Sequence, residues 1–462
     1  MIRLTLTTLS CLALTSISLA QDLPEHGELT SPEGQAFWYV HLPEAERVAI
    51  NIQFPSDWGH RDLESVATSI LGPSLMELGG SGDLDGRQFS NASTDLSAFY
   101  SVDVNQQAVI FDAVLNPALA QDGAALLADF LAAPQFDPRW LTREIRQAKV
   151  DAAEPAFEAR EKAYDLFTRW LYPGLPAGTL LRRDDPTIYD LVTPESLTAW
   201  HSETFHLAEA IPVIAGPLDE AEAGKLIDLL LADLPTAAPT DRALIPAPEA
   251  NLSPVQILLV DPEADNAHAR FWTPALPGQS LEQDAALTLA THMFSSGGLD
   301  APLFEALRSE LRATYGFSSS ISEVASGQSY ASFIGEISPD VLTIVPQVVT
   351  NTWHQYLSEG PTERAVTDLT NQIGASLPLR FQNASSVAGL ASRAAIQGNY
   401  GLSEALSTYA VWAGLEQEDL QQILVQSFES EAALSHILIS PTLIEGAFSC
   451  QLDSATDSLE AC

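Results

Sequence analysis

Residues 69–82 read SILGPSLMELGGSG. Ile70, Leu71, Leu75 and Leu78 continue a helical period that begins at Leu63 and takes in Val66 and Ala67. The turn Gly79-Gly80-Ser81-Gly82-Asp83 then stops the helix. Upstream, AFWYVHL (36–42) and RVAINIQF (47–54) read as strands, rich in aromatic and branched residues. Downstream, DLSAFYSVDV (95–104) and QAVIFDAVL (107–115) carry strand signals, with part of the second also fitting a helix. The order is strand, strand, helix, Gly-Gly turn, strand.

The same order returns later. Helical patterns cover 117–132, 138–154, 157–171, 193–206 and 218–233, with a strand at 209–215. Thr193 and Pro194 open the fourth of these helices with a cap and a proline at the first position, and Glu195 follows in its first turn. Residues 234–254 are rich in Pro and Ala and read as a linker. Strands at 255–260 and 268–275, a helix at 281–294 and the turn Ser295-Ser296-Gly297-Gly298 repeat the opening order. A helix at 303–313 and strands at 314–323 and 329–336 follow. Helices then cover 338–357, 361–375, 384–397, 402–412 and 415–428, before a strand at 434–440. The halves share this order with little sequence identity, which points to a duplicated unit of ~200–220 residues. Mixed helices and neighbouring strands give an α+β fold, with helices covering mainly antiparallel sheets.

The 462 residues suffice for two or three domains, and 46% apolar content lets each bury an ordinary core. Residues 1–20 read as a secretory signal: Arg3, an uncharged run from Leu4 to Leu19, and Ser18-Leu19-Ala20 before the cut. That run is too short to span a bilayer comfortably, and no later stretch reaches spanning length. An exported chain is expected, periplasmic in a Gram-negative cell. Cys450 and Cys462 would remain. They read either as one disulfide closing a short loop or as two free thiols. The net charge of −40 repels nucleic acid. It fits solubility, a salty habitat, or basic peptides as ligands.

Four features together resemble the pitrilysin/insulinase family of zinc peptidases, in particular its short two-domain members similar to mitochondrial processing peptidase. They are the helix and turn at 63–82 with the strand at 95–104, the run 163–216, the stretch MFSSGGLDAPLFEALRSELRATYGFSSSIS (293–322), and the general order over 30–445. The resemblance implies two homologous domains forming a clam-like half. Residues 21–233 would be an N-terminal domain, 234–254 the linker, 255–445 a C-terminal domain and 446–462 an acidic tail.

In active relatives the first helix carries His-x-x-Glu-His, whose two histidines share one helical face and bind zinc. The glutamate activates the zinc-bound water. The matching frame here is Ile70, Leu71, Gly72, Pro73 and Ser74, none of them a usual zinc ligand. The family's distant carboxylate would fall at Gln147 to Lys149, where no acid stands; Glu144 and Asp151 nearby read as solvated charges. His201-x-Glu203-x-x-His206 offers other ligand types, but its histidines sit about 140° apart on a helix. No metal is expected in this chain.

The resemblance implies a different fate for the second half. There the family places an Arg and a Tyr seven residues on, reaching toward the substrate. Arg308 and Tyr315 have that spacing, with Arg312 the competing arginine. A guanidinium can hold a carbonyl or carboxylate, and a phenol can donate to a developing oxyanion. Gly297 and Gly298 would let backbone approach a ligand, or simply end a helix. The implied function is a non-catalytic, substrate-binding subunit whose homologous partner carries the zinc. The alternatives are a non-enzymatic peptide-binding scaffold and a peptidase with an unusual site.

Overall fold

The computed structural model describes residues 23–153, 158–173, 185–237, 243–296, 301–314, 316–324, 326–429, 433–446, 448–460 and 462. The expected signal segment lies outside them.

The first half runs β1 (His26–Thr30), β2 (Ala36–His41), β3 (Val48–Pro55), α1 (Leu63–Gly79), two-residue strands β4 (Gly80–Ser81) and β5 (Leu84–Asp85), and α2 (Gly86–Leu96). It continues with β6 (Phe99–Val104), β7 (Ala108–Leu115), α3 (Ala120–Ala132), α4 (Pro138–Ala153), α5 (Ala159–Leu171), α6 (Pro194–Thr204), β8 (Val213–Gly216) and α7 (Glu220–Leu231). The second half runs β9 (Gln256–Val260), β10 (Ala267–Ala275), α8 (Leu281–Ser295), β11 (Phe317–Glu323), β12 (Ser329–Ile337) and α9 (Val345–Glu359). Then come α10 (Glu363–Arg380), α11 (Ala384–Gln397), α12 (Leu402–Gly414), α13 (Gln417–Ser427), β13 (Ser435–Ser440) and β14 (Cys450–Leu452).

Each half builds a six-stranded sheet, ordered β1-β2-β8-β3-β7-β6 and β11-β12-β10-β13-β9-β14. Five strands correspond one to one. β2 runs parallel to β8 as β9 does to β13, and the remaining pairs are antiparallel in both. The duplication read from element order is therefore a duplication of topology. Only the sixth strand differs: β1 adds antiparallel to β2, whereas β14 adds parallel to β9.

Period-2 alternation explains how both faces are buried. On β2 and β3, Phe37, Tyr39, Val48, Ile50, Ile52 and Phe54 meet the first half's own helices. Trp38, Val40 and Ala49, pointing the other way, meet Ala384, Val387, Ala388, Ala391 and Ala394 of α11. The second sheet repeats this in mirror. Leu258 and Leu438 face their own helices, while Ile257, Leu259, Ile437 and Ile439 face Ala163, Leu166, Phe167 and Leu171 of α5. Each half thus lends helical cover to the other's sheet, α5 in one direction and α11, joined by Leu402, Ala405 and Leu406 of α12, in the other. Phe167 lies edge-on to Trp272 at 5.0 Å and to Tyr330 at 5.4 Å. Burying one such ring is worth roughly 2–3 kcal/mol.

Polar pins hold α5 in place. Lys162 pairs with Asp261 at 2.5 Å. The Arg169 guanidinium donates to the carbonyls of Ala455 and Asp457 in the C-terminal tail. That tail is closed by a disulfide between Cys450 and Cys462, whose Cα atoms are 4.9 Å apart.

Several elements depart from the expectation. Residues 86–96 form α2, so the strand expected from 95 starts at Phe99. The cause is local: Asp85 and Gln88 form a reciprocal capping box, and Ser97 ends the helix at φ 50°. Residues 108–115 are wholly strand, because they pair along their length with β3 and β6. The helix expected over 303–313 is a short turn, Pro302–Phe304, running into a π-helix, Glu305–Glu310. Strands β1 and β14 had no sequence signal of their own.

His268 on β10 and His436 on β13 are 3% and 5% exposed. Burial pushes both pKa values down to about 4; for His268, Arg270 and Arg160 add to the effect. Between an unfolded pKa near 6.5 and the folded value, the unfolded chain binds protons that the fold refuses. Stability is therefore lost as pH falls from 6.5 toward about 4, by on the order of 2–3 kcal/mol per histidine. Urea unfolding at pH 8 and pH 5 should show this loss, and it should shrink in His268→Gln and His436→Gln. Identical pH dependence in the variants would refute the assignment.

Candidate functional site

The place where a zinc site would form lies between α1 and α4. Asp62 caps α1 by accepting the Ser65 amide at 2.8 Å, which fixes the start of the helix. Within it, Leu71, Gly72 and Pro73 are buried. Leu71 joins Ala67, Leu75, Leu141, Tyr189 and Leu197 in one apolar cluster. Ile70 packs against the same cluster, as do Trp140, Ile145 and Ala148 of α4. Ser74 turns back and donates to the Leu71 carbonyl at 3.1 Å.

The α4 positions where the resemblance would place the distant carboxylate are engaged elsewhere. Gln147 donates to Asp151 at 2.7 Å, and Lys149 pairs with Asp190 at 2.6 Å. Zinc needs imidazole, thiolate or carboxylate donors in tetrahedral reach. Hydrocarbon and one hydroxyl do not fit it, and no reaction step can be routed through a metal there. Among the described residues, no group of three or more His, Cys, Asp or Glu is placed to hold a metal ion.

Gly72 has a specific packing role. A Cβ built on it would lie 2.5 Å from the Trp200 ring. Trp200, fully buried on α6, thus fills the space beside the helix that a side chain would claim. Pro73 lacks an amide, so α1 forgoes one internal bond at this point.

The His201-Glu203-His206 stretch is also committed elsewhere. His201 bonds the Leu131 carbonyl at 2.8 Å and stacks on Phe205 at 4.9 Å, and its burial lowers its pKa. Glu203 accepts from Trp58 at 3.2 Å and from Arg61 at 3.0 Å. Arg61 also pairs with the buried Asp57 at 2.6 Å. Asp57 accepts the Ile245 amide at 2.9 Å, and His60 bonds the Ile245 carbonyl at 2.8 Å. This polar clamp fastens the linker to the start of α1. Sequence reading missed it because its members lie far apart in the chain.

In the second half, Arg308 sits on the π-helix, exposed, with its guanidinium over the Phe304 ring at 4.7 Å. The π-helix closes through the Leu311 amide to the Ala306 carbonyl, and Ala313 bonds back to Leu307 at 2.7 Å. A π turn is a frequent mark of functional positions. Arg312 leaves the helix at φ 52°, a conformation unusual for a side-chain-bearing residue. Tyr315, Gly297 and Gly298 lie outside the described residues. A cavity of about 440 Å³ opens beside the π-helix, lined by Glu305, Glu310, Glu359, Met293, Pro302 and Tyr356 among others.

Gly72→Ala tests the filled site. Its methyl group must displace Trp200, so stability should fall by about 1–3 kcal/mol, as overpacking does. Chemical denaturation reads this directly, and an unchanged midpoint would show that Trp200 is not held against α1.

A family model described as the peptidase M16 inactive domain matches residues 191–373, a span that includes Arg308. No curated protein matches the chain by sequence. Solved structures match it by fold. The peptidase M16 inactive domain from Pseudomonas fluorescens superposes with a TM-score of 0.77 at 15% identity, over 92% of this chain and 100% of that one. A protease from Helicobacter pylori gives 0.74 at 12% identity, over 91% and 100%. The periplasmic protease PqqL from Escherichia coli gives 0.75 at 14% identity, covering 96% of this chain but 49% of that one. At these identities the likeness is one of fold. The chain thus carries a match to the peptidase M16 inactive domain and has the fold of the pitrilysin/insulinase peptidases, with no His, Cys, Asp or Glu among Ile70–Ser74 of its first helix.

Proposed function

We propose that this protein is the non-catalytic, substrate-binding subunit of a two-subunit zinc peptidase acting on peptides. One observation carries the reading: hydrocarbon from α1 and α4 fills the place of the metal site, while the second half keeps an exposed arginine on a π-helix. The chain spans about half of PqqL, so a single protease chain can hold two units of this size. Here the second unit would be a separate, homologous chain bearing His-x-x-Glu-His and the zinc.

In this reading Arg308 holds a peptide carbonyl or carboxylate. Tyr315 donates to the carbonyl oxygen as negative charge develops on it. Neither group cleaves a bond alone, so the isolated subunit is inactive. The two subunits close around the peptide, with the chemistry on the partner's side. The apolar, Ser-Leu-Ala-ended leader supports export, to the periplasm in a Gram-negative cell. Among the described residues no helix is long and apolar enough to cross a membrane.

Co-purification from the native host, followed by peptide cleavage with and without a chelator, tests the pairing. The complex should cleave, the chelator should stop it, and this chain alone should not cleave. In the complex, Arg308→Ala and Tyr315→Phe should each lower kcat/KM about 10²-fold, the scale for losing a transition-state donor. A stable complex with unaltered rates in both variants would remove the assigned pair. A complex that never cleaves would favour a scaffold.

A further inference from the structure

The first sheet ends at β6. At the β6–β7 hairpin, Asn105 donates to the Ala108 carbonyl at 3.0 Å. Counting back in twos along the pairing, Asp103 and Ser101 exchange bonds with β7. Tyr100, Val102 and Val104 therefore turn their amides and carbonyls outward. Such an edge is a template for another strand.

One outward amide is already taken. Val102 donates its N–H to Oε1 of Glu77 at 3.0 Å. Glu77 stands in the last turn of α1, beyond Ser74 and outside the apolar cluster. It is half-buried, and no Lys or Arg pairs with it among the described residues. Half-burying a carboxylate without a cation costs free energy, and the Val102 N–H offsets part of that cost. Burial and the charge of Asp103 raise its pKa, while the Val102 bond works the other way.

We propose that Glu77 is an edge guard, whose carboxylate occupies the β6 amide that an incoming extended peptide must engage. An added strand bonds in pairs, and the Val102 pair lies near the middle of the six-residue edge. The strand's carbonyl would have to stand where the Glu77 oxygen stands. Two acceptors repel there, so docking must first displace Glu77. The chain thereby guards the β6 edge against strand addition. This inference rests on the sheet geometry and not on the subunit pairing, and its test uses neither partner nor activity.

Glu77→Ala removes the acceptor, whereas Glu77→Gln keeps a carbonyl oxygen in the same place. The probe is a fluorescein-labelled octapeptide of alternating Thr and Val, followed by anisotropy. Its counterpart with alternate amides N-methylated cannot pair along a strand. Glu77→Ala should bind the probe about tenfold tighter than the unaltered protein, the scale of one hydrogen bond's worth of competition. Glu77→Gln should match the unaltered protein, and the methylated peptide should not bind. New edge-to-edge dimers of Glu77→Ala in sedimentation would count equally in favour. Circular dichroism checks that the variant folds, and Glu77→Leu, which keeps the volume, replaces it if it does not. Equal binding and sedimentation in all forms would overturn the proposal, as would Glu77→Gln behaving like Glu77→Ala.

Discussion

Two helices exchange places between the halves, and the rest of the molecule depends on that exchange. A sheet with two apolar faces needs cover on both. Each half supplies helices for one face only. The other face is closed by α5 of the first half or by α11, with the start of α12, of the second. The hydrophobic effect thereby joins two duplicated units that share no strand. The exchange is unequal in chemistry. α11 offers a row of alanines, which lets backbones approach closely. α5 offers aromatic packing, with Lys162 and Arg169 as polar pins.

Against that frame, the filled zinc position is a packing solution and not a vacancy. Leu71, Ile70 and Ala148 belong to a cluster that also buries Leu141, Tyr189 and Leu197. Restoring ligands would place polar groups in hydrocarbon without partners, at a cost of several kcal/mol each. The Gly72–Trp200 contact binds the same helix from another side.

Much of this was legible in the sequence, and the reasons for the rest are physical. Strong periods gave β2, β3, α1 and α8, and the repeated order gave the two-unit α+β fold. α2 was missed because GRQFSNASTDL holds only Phe89, Ala92 and Leu96 as apolar residues. Its readable signal was the Asp85–Gln88 box. The π-helix carrying Arg308 has no sequence code, since it arises from how Ala313 is drawn back toward Leu307. That Ile70–Ser74 hold no usual zinc ligand is read from the sequence alone. What packs around them is not, because Trp200, Ala148 and Tyr189 arrive from distant parts of the chain. The clamp of Asp57, Arg61 and Glu203 on Ile245 was hidden for the same reason.

The exchanged helices also set a schedule for synthesis. β8, the last strand of the first sheet, is complete by Gly216, yet the cover for Trp38, Val40 and Val213 comes from α11, which begins at Ala384. For most of the time the second half is being made, the first sheet carries an open apolar face. The second sheet has no such wait, since α5 precedes it. The nascent chain is therefore most exposed to sticking midway through its length. A first half made alone would keep that exposure permanently.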